Sequence, residues 1–193
     1  MDGAKPQEIE VKLPFPSAAD ARDVLARIGA KEVQARLFED NVVLDRTENP
    51  LAPAGRLLRL RRYGEVATLT FKAPVPGTHR HKVREEHETP VADFDAMRRI
   101  LEHLGFTPCY RYQKYRTLLE LGNLQICLDE TPIGCFVELE GPPEEIDRTA
   151  QKMGMSVGQY VLETYRELHV QAARDRGEEP GDLVFDGEDD VQK

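Results

Sequence analysis

Short stretches of this chain alternate charged and apolar residues one by one. In Glu8-Ile9-Glu10-Val11-Lys12 the three charged residues occupy every second position. Side chains two residues apart share one face of a β-strand, so the stretch predicts a strand with one charged and one apolar face. A single strand of this kind is typical of an ordinary half-buried sheet whose polar side faces water. The same pattern repeats along the chain, and that repetition calls for another explanation.

The repeats sort their charges by sign. Cations alternate with apolar or polar neighbours at Arg59 and Arg61, at Lys72 and at Lys114 and Arg116, whereas carboxylates do so at Glu8 and Glu10, at Glu86 and Glu88 (with Arg84 before them) and at Glu138 and Glu140. A sheet that faces bulk water needs no such sorting. Cations suit phosphate oxygens and carboxylates suit hard Mg²⁺ or Mn²⁺. Burying so many charges without water or a ligand would cost too much, so a closed barrel would need a wet interior.

Eight extended segments and four helices are expected. The segments fall at about residues 7–13, 32–45, 56–62, 66–73, 82–90, 110–120, 123–129 and 135–140. Helices are predicted to begin at Ser17, Asp93, Pro142 and Ser156, and the last is expected to continue past Thr164 to Leu168. Many strands with few helices favour an α+β fold built on a largely antiparallel sheet.

Composition predicts one soluble domain with an acidic tail. A chain of 193 residues is long enough for one domain with a core, and no apolar run approaches the ~20 residues of a membrane span. Seven acids against Lys193 alone lie in residues 177–193, so most of the net charge of −9 belongs to a segment that we expect to be flexible. Leu183-Val184-Phe185 within it could dock, but a solvated tail is favoured. The N-terminus has no signal-peptide pattern, and three cysteines without metal spacing suit reduced thiols in the cytoplasm. No basic stripe indicates a nucleic-acid surface.

The ordered set of motifs resembles the CYTH superfamily, the triphosphate tunnel metalloenzymes. The first stretch matches the family's ExExK signature. The similarity covers about residues 7–168 and continues through Gly55–Arg61, Leu69–Lys72, Arg84–Glu88, Lys114–Arg116 and Leu128–Glu140 in the family's order. The resemblance implies a domain over residues 5–172 that forms an eight-stranded antiparallel β-barrel, with supporting helices outside and a triphosphate-binding tunnel inside. It leaves a homodimer open.

The resemblance also implies roles for individual residues. Metal ligands for Mg²⁺ or Mn²⁺ would be Glu8, Glu10, Glu138 and Glu140. Phosphate binders would be Lys12, Arg59, Arg61, Lys72, Lys114 and Arg116, with Arg84 as a weaker candidate. The acids Glu86, Glu88 and Asp129 would hold a second metal or orient water, and Lys114 also joins the catalytic set.

Three function classes remain open, and hydrolysis of inorganic triphosphate is favoured. Members of the family hydrolyse inorganic, thiamine or nucleoside triphosphates, cap RNA 5′ ends or cyclise ATP. The best-known class IV adenylyl cyclases carry His-Phe-x-Gly-Lys before ExExK, and residues 1–7 here lack it. The animal thiamine triphosphatases use a tryptophan near thiamine, and this chain has none. Phe136 is predicted to face inward without an aromatic partner, so little on the inner faces could hold a purine. A non-catalytic polyphosphate-binding module is the third class.

Overall fold

The chain forms a closed barrel of eight antiparallel strands. In the computed structural model, which describes residues 7–77 and 80–186, the strand order around the barrel is β1-β5-β4-β3-β2-β6-β7-β8, and β8 pairs with β1. The strands are β1 Gln7–Phe15, β2 Lys31–Asp45, β3 Leu57–Tyr63, β4 Val66–Pro74, β5 Lys82–Val91, β6 Thr107–Leu121, β7 Leu124–Thr131 and β8 Gly134–Glu140. The predicted eight-stranded barrel is therefore confirmed.

Four helices lie outside the barrel. They are α1 Ala18–Arg27, α2 Phe94–His103, α3 Pro143–Lys152 and α4 Tyr165–Arg176. The side chains of Ser17 and Asp93 accept hydrogen bonds from the backbone amides of Asp20 and Ala96, so these residues cap α1 and α2 as the sequence predicts. None of the helices within the described part of the chain is long and apolar enough to cross a bilayer.

The predicted start of the last helix is wrong. Ser156 precedes only a short 3₁₀ turn over Val157–Gln159, and α4 begins eight residues later, after Thr164. The cause is a tertiary contact, because Val161 exchanges two backbone hydrogen bonds with Lys12 of β1, at 3.1 and 2.9 Å. This pairing holds the intervening segment extended, and the helix can begin only beyond it.

The apolar faces of the strands pack outward against the helices. Val11 and Val137 are fully buried in one cluster with Leu25 of α1 and Ile146 of α3. A second cluster joins Leu60 of β3 to Leu101 of α2, among other residues. The outer face of β5 is the exception, since Glu85 and His87 pair with each other there instead of packing under a helix. The apolar outer faces predicted for β1, β3 and β8 are thus confirmed.

The C-terminal segment is partly ordered against the barrel. Residues Asp182 to Phe185 contact β6, and Leu183 is 2% exposed. This docking corrects the expectation of a solvated tail for these four residues, because an apolar side chain there finds a buried site. Residues 187–193, which carry three of the tail's acids, lie outside the described part of the chain, as do residues 5 and 6 of the predicted domain.

Candidate functional site

The inner faces of the strands enclose a charged cavity of about 410 Å³, which we call the tunnel. The single phase of alternation brings nearly all of the predicted site residues to it. Those that line the tunnel are Glu8, Glu10, Lys12, Arg59, Arg61, Lys72, Arg84, Glu86, Glu88, Lys114, Arg116, Glu138 and Glu140. Asp129 is the exception, since it is fully buried behind Lys114 and Arg116. In the described structure, therefore, cations and carboxylates meet inside the barrel as the alternation predicts.

Three carboxylates crowd one end of the tunnel. Glu10 of β1 lies directly opposite Glu140 of β8, and Glu8 precedes Glu10 on the same face. Burial, together with the neighbouring charge of Glu10, raises the pKa of Glu8 to about 7 even though Lys72 lies 2.6 Å away. Burial and Glu10 also raise the pKa of Glu140. This end of the tunnel holds more negative charge than its own cations neutralise.

Glu10 itself is held as a carboxylate by two ammonium groups. The Nζ atoms of Lys82 and Lys12 lie 2.8 and 3.3 Å from its Oε1 atom. Burial opposes ionisation, but Lys12 and Lys82 outweigh it and lower the pKa of Glu10 to about 2. Lys12 also contacts Glu138 at 3.3 Å, so one ammonium bridges the strands β1 and β8.

Arginines of β3 form the opposite wall. Arg61 donates two hydrogen bonds from Nη2 to the carboxylate of Glu88, at 2.9 and 3.0 Å. Arg59 donates to the hydroxyls of Tyr112 and Thr70, at 3.1 and 3.2 Å. The Nε atom of Arg59 is buried and has no hydrogen-bond partner. A buried donor without a partner is costly, so the guanidinium is suited to an added acceptor such as a phosphate oxygen.

A buried ion network forms the floor of the tunnel. Lys114 Nζ lies 2.9 Å from Asp129 and 3.4 Å from Glu39, and Arg116 donates two hydrogen bonds of 2.6 Å to Asp129. The hydroxyl of Tyr165 donates a further hydrogen bond to Asp129 at 2.7 Å. Burial opposes ionisation of Glu39, but Lys114 and Arg116 lower its pKa to about 2. Both carboxylates are therefore fixed counterions of the cations above them.

Two charged residues were absent from the sequence prediction: Lys82, which lines the tunnel, and Glu39, which is buried in its floor. Lys82 continues the phase of Arg84, Glu86 and Glu88 by two residues, so the alternation could have revealed it. Glu39 had no such signal, because the positions two residues before it and four after it, Leu37 and Val43, are apolar.

The expectation that no aromatic side chain accompanies Phe136 is wrong. Its ring lies 5.5 Å from that of Tyr165, and the ring of Tyr112 lies 6.5 Å from Tyr165 and 6.0 Å from Tyr110. Tyr165 is the first residue of α4, whose start the sequence placed eight residues too early. The rings pack on one another and three of the four are largely buried, so they form a wall and leave little ring face open for a base.

The crowded carboxylates are suitable ligands for a hard divalent cation. Mg²⁺ and Mn²⁺ prefer oxygen ligands, and Glu8, Glu10 and Glu140 offer them from two paired strands. Burial first, and the neighbouring charge of Glu10 second, raise the pKa values of Glu8 and Glu140, so both carboxylates would gain from a nearby cation. Within residues 7–77 and 80–186 no group of three or more His, Cys, Asp or Glu side chains is placed to hold an ion as it stands. Lysines contact Glu8 and Glu10 there. The three carboxylates suit a divalent cation that binds together with an anion, because the anion can replace the carboxylates as the partner of those lysines.

Residues 6–175 match the family model of the CYTH domain. The match covers most of the chain. The chain belongs to the CYTH family. The charged tunnel within a closed eight-stranded barrel is the arrangement that the motifs of this family imply.

Relatives of this CYTH chain carry cyclase and triphosphatase descriptions. A Methanocaldococcus jannaschii protein named "Putative adenylate cyclase" is 24% identical over 172 residues, which cover 83% of this chain and 97% of the relative. A Vibrio parahaemolyticus structure, also described as a putative adenylate cyclase, has a TM-score of 0.73 at 19% identity and covers 83% of this chain and 96% of its own. A Hippeastrum structure, described as a putative adenylyl cyclase with a dominant triphosphatase activity, has a TM-score of 0.59 at 19% identity, with 90% and 96% covered. These structural likenesses support the fold.

Proposed function

We propose that this CYTH chain is a Mg²⁺- or Mn²⁺-dependent triphosphatase that hydrolyses inorganic triphosphate in preference to ATP. The observation that carries the proposal is the sorted charge of the tunnel, where lysines and arginines from several strands surround one cavity and carboxylates crowd one end of it. The dominant triphosphatase activity described for the Hippeastrum protein, which has the same fold, supports the reaction class.

Binding would proceed by an exchange of ionic partners. In the described structure the tunnel cations already hold carboxylates: Lys72 holds Glu8 and Glu86, and Arg61 holds Glu88. A triphosphate brings several anionic oxygens that can replace those carboxylates around the cations. The freed carboxylates are then available to the divalent cation that accompanies the triphosphate. Binding of the triphosphate without the cation, or of the cation without the triphosphate, would leave buried charges of the tunnel unpaired. An unpaired buried charge costs roughly several kcal/mol.

Phosphoryl transfer asks a protein mainly for positioning and neutralisation of charge. Arg59, Arg61 and Lys72 would clamp the phosphate oxygens, and a metal ion, when bound, would polarise them further. Glu88 also accepts a hydrogen bond from the hydroxyl of Thr70, at 2.6 Å, which would still orient it once Arg61 has turned to the phosphate. It would accept a hydrogen bond from the attacking water. Asp129 is better suited to anchoring Lys114 and Arg116 than to orienting water, because all its contacts lie beneath the cavity.

The aromatic wall does not favour the cyclase alternative. Its rings contact one another, and the hydroxyls of Tyr112 and Tyr165 are engaged with Arg59 and Asp129. A compact inorganic triphosphate needs no base recognition, and the cations can surround it. The names of the relatives keep adenylyl cyclisation as the second candidate.

The clamp is tested by substitution of Arg59. We expect Arg59→Ala to lower kcat/KM for inorganic triphosphate by ~10²- to 10³-fold, because the guanidinium contacts developing charge in a partly desolvated site. Arg98→Ala, on the solvent side of α2, is the matched control and should retain wild-type kinetics. Excess EDTA should abolish wild-type turnover, and added Mg²⁺ or Mn²⁺ should restore it. Full activity of Arg59→Ala, or turnover that persists in EDTA, would refute the proposal.

A further inference from the structure

Part of β6 has an edge that no barrel strand covers. Pairing between β6 and β7 begins at Tyr115, opposite Glu130, and β7 ends one residue later, at Thr131. The earlier residues of β6, including Arg111 and Gln113, pair with β2 on their other edge. The barrel therefore leaves a seam beside the first half of β6, where backbone groups need another partner.

The C-terminal segment Asp182–Phe185 fills that seam through a parallel β-bridge between Leu183 and Tyr112. The amide of Leu183 donates to the carbonyl of Arg111 at 2.9 Å, and the amide of Gln113 donates to the carbonyl of Leu183 at 2.8 Å. Side chains reinforce both ends of the segment. Asp182 Oδ1 accepts from the amide of Arg111 at 2.8 Å, and Gln113 Oε1 accepts from the amide of Phe185 at 3.0 Å.

Leu183 is the apolar anchor of this segment. Its side chain is 2% exposed and belongs to a buried cluster with Val43, Tyr110, Phe136 and Tyr165. A leucine buried to this degree in a packed cluster resists displacement, because its removal would leave a cavity. The segment is thus held by backbone pairing and by core packing together.

The same contacts lead directly to the tunnel cations. Tyr112, the residue of β6 bridged to Leu183, accepts a hydrogen bond from Arg59 through its hydroxyl. Tyr165, which shares the cluster of Leu183, donates to Asp129, the counterion of Lys114 and Arg116. Leu183 itself touches none of these cations. It packs against the aromatic residues whose hydroxyls orient them.

We propose that the segment Asp182–Phe185 positions the charged groups of the tunnel. Leu183 is its positioning residue, and it sets the placement of Arg59 and of the floor network. The segment lies beyond the CYTH match, which ends at residue 175. The kinetic part of the inference rests on the proposed triphosphatase function. The docking part does not, because amide exchange measures it without a substrate.

The test compares Leu183→Ala with three other variants of the full chain. Leu183→Met keeps an apolar anchor of similar volume, and Val184→Ala truncates a neighbour outside the buried cluster. Asp182→Ala, which removes only the hydrogen bond to the amide of Arg111, is a milder second lesion should Leu183→Ala fold poorly. Hydrogen exchange at the amides of Gln113 and Leu183 measures docking. KM and kcat for inorganic triphosphate with Mg²⁺ measure positioning.

Leu183→Ala should lose slow exchange at both amides and lower kcat/KM by ~10- to 100-fold with a raised KM, as expected when a binding group is displaced. Asp182→Ala should change both measurements in the same direction by less, and the other two variants should match the wild type. Fast exchange with unchanged kinetics would overturn the positioning role. So would a lower kcat at unchanged KM with a lower unfolding midpoint, since that is the result of a smaller folded fraction. Retained slow exchange in Leu183→Ala would overturn the role of Leu183 as the anchor of the segment, whereas a wild type without turnover would refute the proposed function and the kinetic part together.

Discussion

Glu8 and Glu10 lie two residues apart on β1, yet their surroundings shift their pKa values in opposite directions. Burial and the charge of Glu10 raise the pKa of Glu8, whereas Lys12 and Lys82 outweigh burial and lower that of Glu10. The sequence places both carboxylates on one face, because alternation depends only on spacing. It does not reveal which lysine reaches which carboxylate, since Lys82 comes from a strand 72 residues away.

Glu8 should make stability depend on pH in the absence of metal. Its pKa is about 7 in the folded protein against 4.5 as the ordinary value, so the folded state binds the proton more tightly. Its contribution to stability is therefore complete below pH 4.5 and is lost as pH rises through 7. Between pH 5 and pH 8 in EDTA, this loss should lower the free energy of unfolding by about 2 kcal/mol in the wild type. Urea titrations should find that part of the loss missing in Glu8→Gln, and equal pH dependence in both proteins would contradict the assignment.

Glu10→Gln and Glu140→Gln should differ in stability although both should lose activity. Repulsion between the crowded carboxylates, taken alone, predicts that either substitution leaves the fold intact or stabilises it, because each removes one negative charge. The structure corrects this for Glu10, because its loss leaves Lys12 and Lys82 short of a counterion. At pH 7 without metal, Glu10→Gln should lower the free energy of unfolding by about 1–3 kcal/mol. Glu140→Gln should preserve or raise it, because burial and Glu10 disfavour its charge. Chemical denaturation of the two variants side by side decides the point.

Among the elements, strands were easier to predict than the last helix. Most of the eight strands could be located because charged and apolar residues alternate along them, and a helix cannot produce that period. The start of α4 could not, since Ser156 and Thr164 are both acceptable caps by residue type. The choice between them is made by the backbone pairing of Val161 with Lys12, which is a contact between distant parts of the chain.

The cap of α4 should influence kinetics as well as stability. Thr164 Oγ1 accepts a hydrogen bond from the amide of Glu167, and the next residue is Tyr165, which holds Asp129. Thr164→Ala should lower the free energy of unfolding by about 1 kcal/mol and should also lower kcat/KM for triphosphate. Ser17→Ala, which removes the cap of α1 away from the tunnel, should cost a similar amount of stability and leave kinetics unchanged. Identical kinetic effects of the two variants would contradict a role of the α4 cap at the site.

In the whole molecule, the barrel and the inner position of the charged residues could be predicted from the sequence. The floor of the tunnel and the docking of the C-terminal segment could not. Many strands have one charged face and one apolar face, and a closed barrel is a fold in which all the charged faces can line one interior. The floor depends on Glu39, whose strand carries no alternation of charge, and on Tyr165, whose contact with Asp129 depends on where α4 begins. The docking of Leu183 depends on the seam left where β7 ends, which is a property of strand lengths in three dimensions.

The central claim is that the tunnel hydrolyses a compact triphosphate by attack of water. Phosphorus NMR of the protein with equimolar inorganic triphosphate and ATP in Mg²⁺ tests it most directly, because substrates and products are resolved in one sample. We predict that inorganic triphosphate disappears first, with pyrophosphate and orthophosphate formed in equal amounts, while ATP persists. Formation of cyclic AMP and pyrophosphate from ATP, with inorganic triphosphate left intact, would contradict the claim and identify the tunnel as a cyclase site.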